Sequence, residues 1–372
     1  MTSDIFQLSG LLAPETTFGT RGLPRGVTVK TQDFWERYDR STLIYDCVWL
    51  PQEKVLRLYL PKPIGFATQL KASRFALDGE TVSIAHWRRF RQYDEIDFTA
   101  PQKPSQLEVV TTTASSSISV NDNRSDIFAG RNVLYTMLRN DDLRWVHDWG
   151  LAHQRNHGTD AILIADNGST AYSTAELLQT IQSIPGIKVA HVLDMPFPYG
   201  PSPQSCRGVG LTQFLQTACL NLCRDRFFST ARGVLVCDVD ELVFSRDGES
   251  IYDATANSLT KYKTFHGHWR FANAAADVSR HKDHVFADKG TGLCASKYCI
   301  VPDSVFGRMS WSVHSLENVN RRIFRPGKRF GFYHCQSIST SWKSPRHATP
   351  ANHTKIDPAT STFLDKTFPT PV

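Results

Sequence analysis

Residues 234 to 242 read Val-Leu-Val-Cys-Asp-Val-Asp-Glu-Leu, an apolar run that ends abruptly in the three acids Asp238, Asp240 and Glu241. Crowded carboxylates repel one another unless protons or a cation neutralise them. Hard divalent ions prefer oxygen ligands and often keep waters while bridging to phosphates, so Mn²⁺ or Mg²⁺ is the cofactor this pattern suggests. If the segment stays extended, Asp238 and Asp240 point to one side and Glu241 to the other. One acid would then hold the metal while the other reaches it through water or binds a ribose hydroxyl. The competing reading is a strand followed by a solvated acidic turn. A bare Asp-x-Asp match is common, and its placement directly after a buried strand is what favours the metal.

A second polar loop, Asp166-Asn167-Gly168-Ser169-Thr170, follows the apolar run Ala161 to Ala165. It is either an ordinary turn in which Asn167 and Gly168 accept unusual dihedrals, or a loop that sets Asp166 beside a nucleoside base or ribose. A basic cluster, Arg321, Arg322, Arg325, Lys328 and Arg329, reads equally as a solvated face or as an anion-binding patch.

The elements that must position these residues follow from periodicity. Asn132 to Leu138 predicts a strand, and Asp141 is a candidate N-cap for a helix carrying Leu143, Val146, Trp149 and Leu151 that stops near Gly158. Ala161 to Ala165 predicts a buried strand. Ser173 and Glu176 have capping-box spacing ahead of Leu177, Leu178 and Ile181, and Ile187 to Leu193 predicts a further strand. A helix is expected from about Leu211 through Phe228, then a buried strand from Gly233 to Cys237. This alternation is that of a largely parallel α/β sheet, which binds ligands at the carboxyl ends of its strands. Ahead of it, residues 1 to 40 read as an irregular lead-in. Leu43 to Leu50, Val55 to Leu60, Val82 to Trp87 and Leu107 to Thr113 read as short strands, and Ser115 to Arg124 as a linker.

Taken together, Arg139-Asn140-Asp141, the helix with Trp149 and His153, the segment Ile162 to Thr170 and Asp238-Val239-Asp240-Glu241 resemble the family 2-like glycosyltransferases of the GT-A fold. The subgroup is the one whose pattern runs Arg-Asn-Glu, a Trp-containing helix, then Asp-Asn-x-Ser-Thr; this chain has Asp141 where that pattern has Glu. The resemblance spans roughly residues 131 to 345. It implies a GT-A-like, Rossmann-type nucleotide-binding sheet with an N-terminal β-rich subdomain. Residues 1 to 120 would form the lead-in and accessory subdomain, 125 to 345 the catalytic domain, and 346 to 372 a C-terminal tail.

The activity it implies is metal-assisted transfer of a sugar from a nucleoside-diphosphate donor, UDP-linked by family habit, to a glycan or lipid-linked acceptor. By motif, Arg139 and Asp141 would lie near the nucleoside, Asp166 near the base with Asn167 shaping the loop, and Asp238 and Asp240 on the metal. The segment Lys297 to Pro302 followed by Val313-His314 also resembles the subgroup. It adds Lys297 to the nucleotide site and His314 as a third metal ligand or a donor-phosphate contact. Trp269, Arg270 and Phe271 resemble a segment near the acceptor. The leaving diphosphate could also be stabilised by the Arg321 to Arg329 cluster, His334 or Lys343, and an inverting reaction would draw its base from Glu241, His281 or Asp283.

Composition bounds the remaining classes. The 372 residues are 41% hydrophobic and 21% charged, the balance of an ordinary globular protein rather than a disordered chain. A net charge of +6 without interleaved basic and aromatic residues argues against a nucleic-acid partner. No apolar stretch approaches the roughly 20 residues a bilayer span needs, and Glu15, Arg21 and Arg25 interrupt any leader-like run. A cytoplasmic enzyme with, at most, peripheral membrane contact is expected. Eight cysteines without a CxxC pair read as packing residues in a reducing compartment, not as a zinc site. Two other classes stay open: a nucleotidyl- or phosphotransferase on the same acidic site, and a non-catalytic carbohydrate-binding protein using the N-terminal β-rich part.

Overall fold

The computed structural model describes residues 1–272, 279–288, 291–320, 324–338 and 354–369. The chain divides into two units, one of residues 1–6, 126–194 and 228–372, the other of residues 7–125 and 195–227. Among the described residues no helix is long and apolar enough to cross a membrane.

The first unit is built on a nine-stranded mixed sheet, an α/β arrangement. Its strands in chain order are β1 (Thr2–Gln7), β2 (Asn132–Leu138), β3 (Ala161–Asp166), β4 (Val189–Asp194), β5 (Gly233–Val236), β6 (Glu241–Ser245), β7 (Tyr262–Arg270), β8 (Leu293–Ile300) and β9 (Phe330–Cys335). In space they run β1-β4-β3-β2-β5-β8-β7-β9-β6. Strands β4, β3, β2 and β5 are mutually parallel; β8 is antiparallel to β5 and β7, β9 runs parallel to β7, and β6 closes the edge antiparallel to β9. The parallel strands read as near-continuous apolar runs because both of their faces are covered. Every residue of β3 and of β5 is buried.

Helix α1 (Leu143–His157) links β2 to β3. Its N-cap is Asp142, whose carboxylate accepts the Arg144 N–H, and Gly158 at φ 68 ends it in the left-handed conformation that glycine tolerates. Asp141 therefore stands one residue ahead of the cap assigned to it from sequence. Helix α2 (Thr174–Gln182) links β3 to β4 and opens with the expected Ser173–Glu176 capping box. Trp149, Leu177 and Ile181 from these helices join Leu134, Ile162 and Ile164 of the sheet in one core. Edge strand β6 does not stop at open backbone groups. His153 Nε2 accepts the Val243 N–H at 3.3 Å, and His157 Nε2 donates to the Val243 carbonyl at 3.0 Å. Two histidines one helical turn apart thus stand in for a neighbouring strand. Helix α3 (Ile251–Ala256) follows β6, and helix α4 (Pro358–Thr367) bonds to α1 through Asn156 and Thr367 at 2.9 Å.

The second unit holds two four-stranded antiparallel sheets. One has the order Asp46–Leu50, Val55–Pro61, Tyr93–Thr99, His86–Arg89, and the other Ser115–Ser119, Gln106–Val110, Arg74–Leu77, Glu80–Val82. Leu58, Leu60, Phe75, Ile96, Phe98 and Leu107 share its core.

Three expectations change. Residues 1–6 belong to the first unit, and β1 is an edge of its sheet rather than an irregular lead-in. Ser115–Ser119 is a strand paired with Gln106–Val110, not a linker, because partner backbone groups satisfy a sequence with little apolar patterning of its own. The helix expected from Leu211 is shorter (Leu215–Cys223), continues as a π turn to Phe228, and lies with residues 195–227 in the second unit. The boundaries at 120 and 345 are accordingly not those of the compact units.

Candidate functional site

Because β2, β3, β4 and β5 are parallel, their carboxyl ends share one edge of the sheet. Strand order reverses at β2, with β3 and β4 on one side and β5 on the other, and such a switch point leaves a crevice where ligands bind. The segments after β2, β3 and β5 carry Arg139-Asn140-Asp141, Asp166 to Thr170 and Asp238 to Glu241. Strands β3 and β5 flank β2, so the segments that begin at Asp166 and Asp238 leave the sheet about 10 Å apart by strand spacing.

On the β2–β3 side Asn140 is the stitch. At φ 59 it sits in the left-handed region, its side-chain oxygen accepts the Thr170 and Ala171 N–H groups at 2.6 and 2.9 Å, and its own N–H donates to Ser169 Oγ at 2.8 Å. Asp166 is buried and accepts the Ser169 N–H and hydroxyl. Burial raises its pKa above the usual carboxylate range against those bonds; Asp194 pushes the same way and Arg139 pulls it down. Asp194 was not singled out from sequence; it pairs in register with Asp166 at the end of β4. Asn167 is buried and donates its N–H to the Leu138 carbonyl at 2.9 Å, and Asp141 is buried beside them.

After β5 the chain turns instead of staying extended. The Glu241 N–H donates to the Asp238 carbonyl at 3.0 Å, and the Asp238 N–H donates back to Glu241 Oε2 at 2.8 Å. That reciprocal turn cancels the strand alternation, so Glu241 joins the other two acids rather than facing away. Lys297, from β8, is buried with Nζ 2.6 Å from Asp238 Oδ2 and 3.2 Å from Glu241 Oε2. Its ammonium, expected near the nucleotide, is engaged by two of the acids. His334, from β9, places Nε2 2.9 Å from Asp240 Oδ2, and its ring stacks on Trp269 with centroids 4.0 Å apart.

Asp240, Glu241 and His334 each offer a ligand atom within 4.8 Å of the others, a buried oxygen–oxygen–nitrogen set that could hold a metal ion. Burial pushes Glu241 up to about 7, with Lys297 opposing and Asp238 adding to the rise. Burial alone would lower His334, but the Asp240 carboxylate overrides it and holds the imidazole up to about 10. Lys297 is likewise held above its ordinary range by Asp238 and Glu241 in spite of burial.

Behind the turn, His281 is fully buried and its Nε2 donates to the Val239 carbonyl at 2.8 Å. Asp148 lies 3.9 Å from the other ring nitrogen and takes two bonds from Arg280, at 2.8 and 2.5 Å. Burial would raise Asp148, but His147, His281 and Arg280 hold it well below the usual carboxylate range. This brace makes His281 a support for the acidic turn rather than a base open to substrate. Asp283, the other base candidate, accepts the Arg280 N–H at 2.7 Å and caps its own short turn.

His314 lies on the exposed turn between Trp311–Ser312 and Ser315–Leu316, its Nδ1 3.2 Å from the Ser296 carbonyl. The histidine the fold delivers to the acids is His334. Arg329 pairs with Asp247 and Glu249, while Arg321, Arg322 and Lys343 lie outside the described residues. All eight cysteines are buried and none is in a disulfide.

No family model and no curated protein matches this chain. Among solved structures, a Salmonella typhimurium protein assigned as an alpha amylase aligns over 46% of this chain and 40% of its own, at 12% identity and a TM-score of 0.20. A likeness that slight carries no argument about fold or activity.

Proposed function

We propose that this chain is a glycosyltransferase of GT-A type that transfers a sugar from a nucleoside-diphosphate donor, UDP-linked in the first instance, to a glycan or lipid-linked acceptor. The observation that supports it is the convergence of Asp240, Glu241 and His334 on the same sheet edge as the Asp166 loop, at the switch point between β2 and β5. In this reading Arg139, Asp141, Asp166 and Asn167 receive the nucleoside. Asp240 and Glu241, with Asp238 beside them, would hold Mn²⁺ or Mg²⁺, and His334 would join them once the ion displaces the proton that Asp240 keeps on it. The ion's contribution when bound is to neutralise charge growing on the leaving diphosphate. Lys297 holds Asp238 and Glu241 in register, and Trp269 fixes the His334 ring plane. The site works in the cytoplasm, with peripheral membrane contact if the acceptor is lipid-linked.

Thermal-shift measurements with a panel of nucleotide sugars, with and without Mn²⁺, followed by detection of released nucleotide, test the reading. Stabilisation by one nucleotide sugar that Asp240→Asn and His334→Ala both lose, with turnover on a glycan, is the expected result. Stabilisation by nucleoside triphosphates alone would replace sugar transfer by nucleotidyl or phosphoryl transfer on the same acids.

A further inference from the structure

We propose that the first unit carries a second ligand site, a basic groove between the β6–β9–β7 strands and helix α4 that takes a phosphate-bearing anion. Alternation separates it from the acidic site. Glu241 pairs in register with His334 and Trp269 with His334, so these three share one face; Leu242 and His268 pair with Tyr333, so Tyr333, Phe244, His268 and Arg270 share the other. On that second face lies a cavity of about 920 Å³.

Its charged lining is four cations, Arg155, Arg246, Arg270 and Lys366, against two carboxylates, Asp247 and Asp357. Both carboxylates are already taken, Asp247 by Arg329 at 2.5 Å and Asp357 by Arg270. Arg155, Arg246 and Lys366 form no ion pair among the described residues. Two of these cations are nonetheless oriented: Arg246 Nε donates to the Lys328 carbonyl at 2.8 Å, and Arg155 Nη1 donates to the Thr367 carbonyl. A carbonyl fixes a guanidinium without neutralising it, so the groove rim is arranged for an anion and still carries its charge. At the floor, buried Arg270 lies over the Tyr333 ring at 4.8 Å. His268 is kept below its ordinary pKa, first by burial and then by Arg270 and Arg246, which leaves a neutral imidazole for a hydrogen bond.

The cavity exceeds a single phosphate, and its unpaired cations come from three separate elements: α1, the turn after β6, and α4. That spacing suits a ligand with more than one oxyanion, or a phosphate on a polar body. Free diphosphates and phosphorylated sugars share this chemistry with phosphoinositide headgroups.

The test is calorimetric titration of inorganic pyrophosphate into the full chain, its Arg246→Ala/Lys366→Ala double variant and Asp240→Asn. Flotation with phosphatidylcholine vesicles with and without phosphatidylinositol phosphate runs in parallel. Arg246 and Lys366 are exposed, so the double variant should fold. The expected result is pyrophosphate binding weakened at least tenfold in the double variant, unchanged in Asp240→Asn, and weakened by salt. Retention on phosphoinositide vesicles without pyrophosphate binding, lost in the double variant, would support the groove with a membrane phosphate as ligand. Equal pyrophosphate affinity in wild type and double variant, loss in Asp240→Asn, or no binding of either probe would overturn the proposal.

Discussion

Both units bury carboxylates against cations, but they balance them differently. In the second unit Asp46, Glu95, Asp97 and Asp225 meet Arg57, Arg88, Arg224 and Arg226, four shielded acids for four guanidiniums, with exposed Glu53 adding a bond to Arg57 from the rim. Arg57 reaches Asp97 and Asp225 at 2.9 Å each, Arg88 reaches Glu95 and Asp97 at 2.9 and 2.8 Å, Arg224 reaches Asp225 at 2.6 Å and Arg226 reaches Asp46 at 2.9 Å. In the first unit the three acids of the turn have two cations, Lys297 and His334. The saturated network has no room for another charge and reads as scaffold. The deficient cluster has one acid more than it has cations, an excess that a proton on Glu241 or an incoming cation can neutralise. Burial of charge is therefore not in itself a mark of function; the imbalance is.

The largest effect should come from breaking the balanced network. Arg57→Met leaves Asp97 with Arg88 alone and Asp225 with Arg224 alone, and losing one partner of a buried pair costs roughly 3–5 kcal/mol. Urea denaturation followed in the second unit should show it with no change in Mn²⁺ affinity, while Asp240→Asn should remove Mn²⁺ binding. Loss of Mn²⁺ binding in Arg57→Met would erase the distinction between the regions.

Acid should weaken the first unit through the histidines that cap β6. Burial lowers His153 to about 3, with His157 adding to the fall, and burial lowers His157 to about 4. Their stabilisation is full above the unfolded value near 6.5 and is lost as pH falls below it, since the unfolded chain takes up protons that the folded one refuses. The loss should reach roughly 2 kcal/mol per histidine by pH 5. Denaturant midpoints at pH 7 and pH 5 measure it, and His153→Gln should flatten the slope.

Lys297→Met sharpens the comparison from the other side. Removing the ammonium from between Asp238 and Glu241 should tighten Mn²⁺ binding about tenfold, close to 1.4 kcal/mol, and make thermal stability depend on the ion. Unchanged affinity by calorimetry would mean that the lysine and the ion do not share the acids. The smallest effect is expected at His314→Ala, within about 0.5 kcal/mol in stability and without change in Mn²⁺ affinity. A loss there matching that of His334→Ala would return the ligand role to the exposed turn.

The sequence by itself determined the parts whose forces act within a few residues. The apolar runs of β2, β3 and β5, the Ser173–Glu176 box and the Gly158 stop are local, because periodicity and capping operate over one strand or one helical turn. The three acids at the end of β5 were legible for the same reason. Only the tertiary structure decided which side chains surround them. His334 meets Asp240 across 94 residues and Lys297 meets Asp238 across 59, through sheet neighbours that no local pattern specifies. Glu241 changed sides because the turn through Val239 and Asp240 overrides strand alternation. Asp283 and His281 looked like available bases until backbone partners claimed them. Residues 195–227 leave the first unit, and β1 joins it, because long-range pairing is chosen by which exposed edge and apolar face remain to be covered.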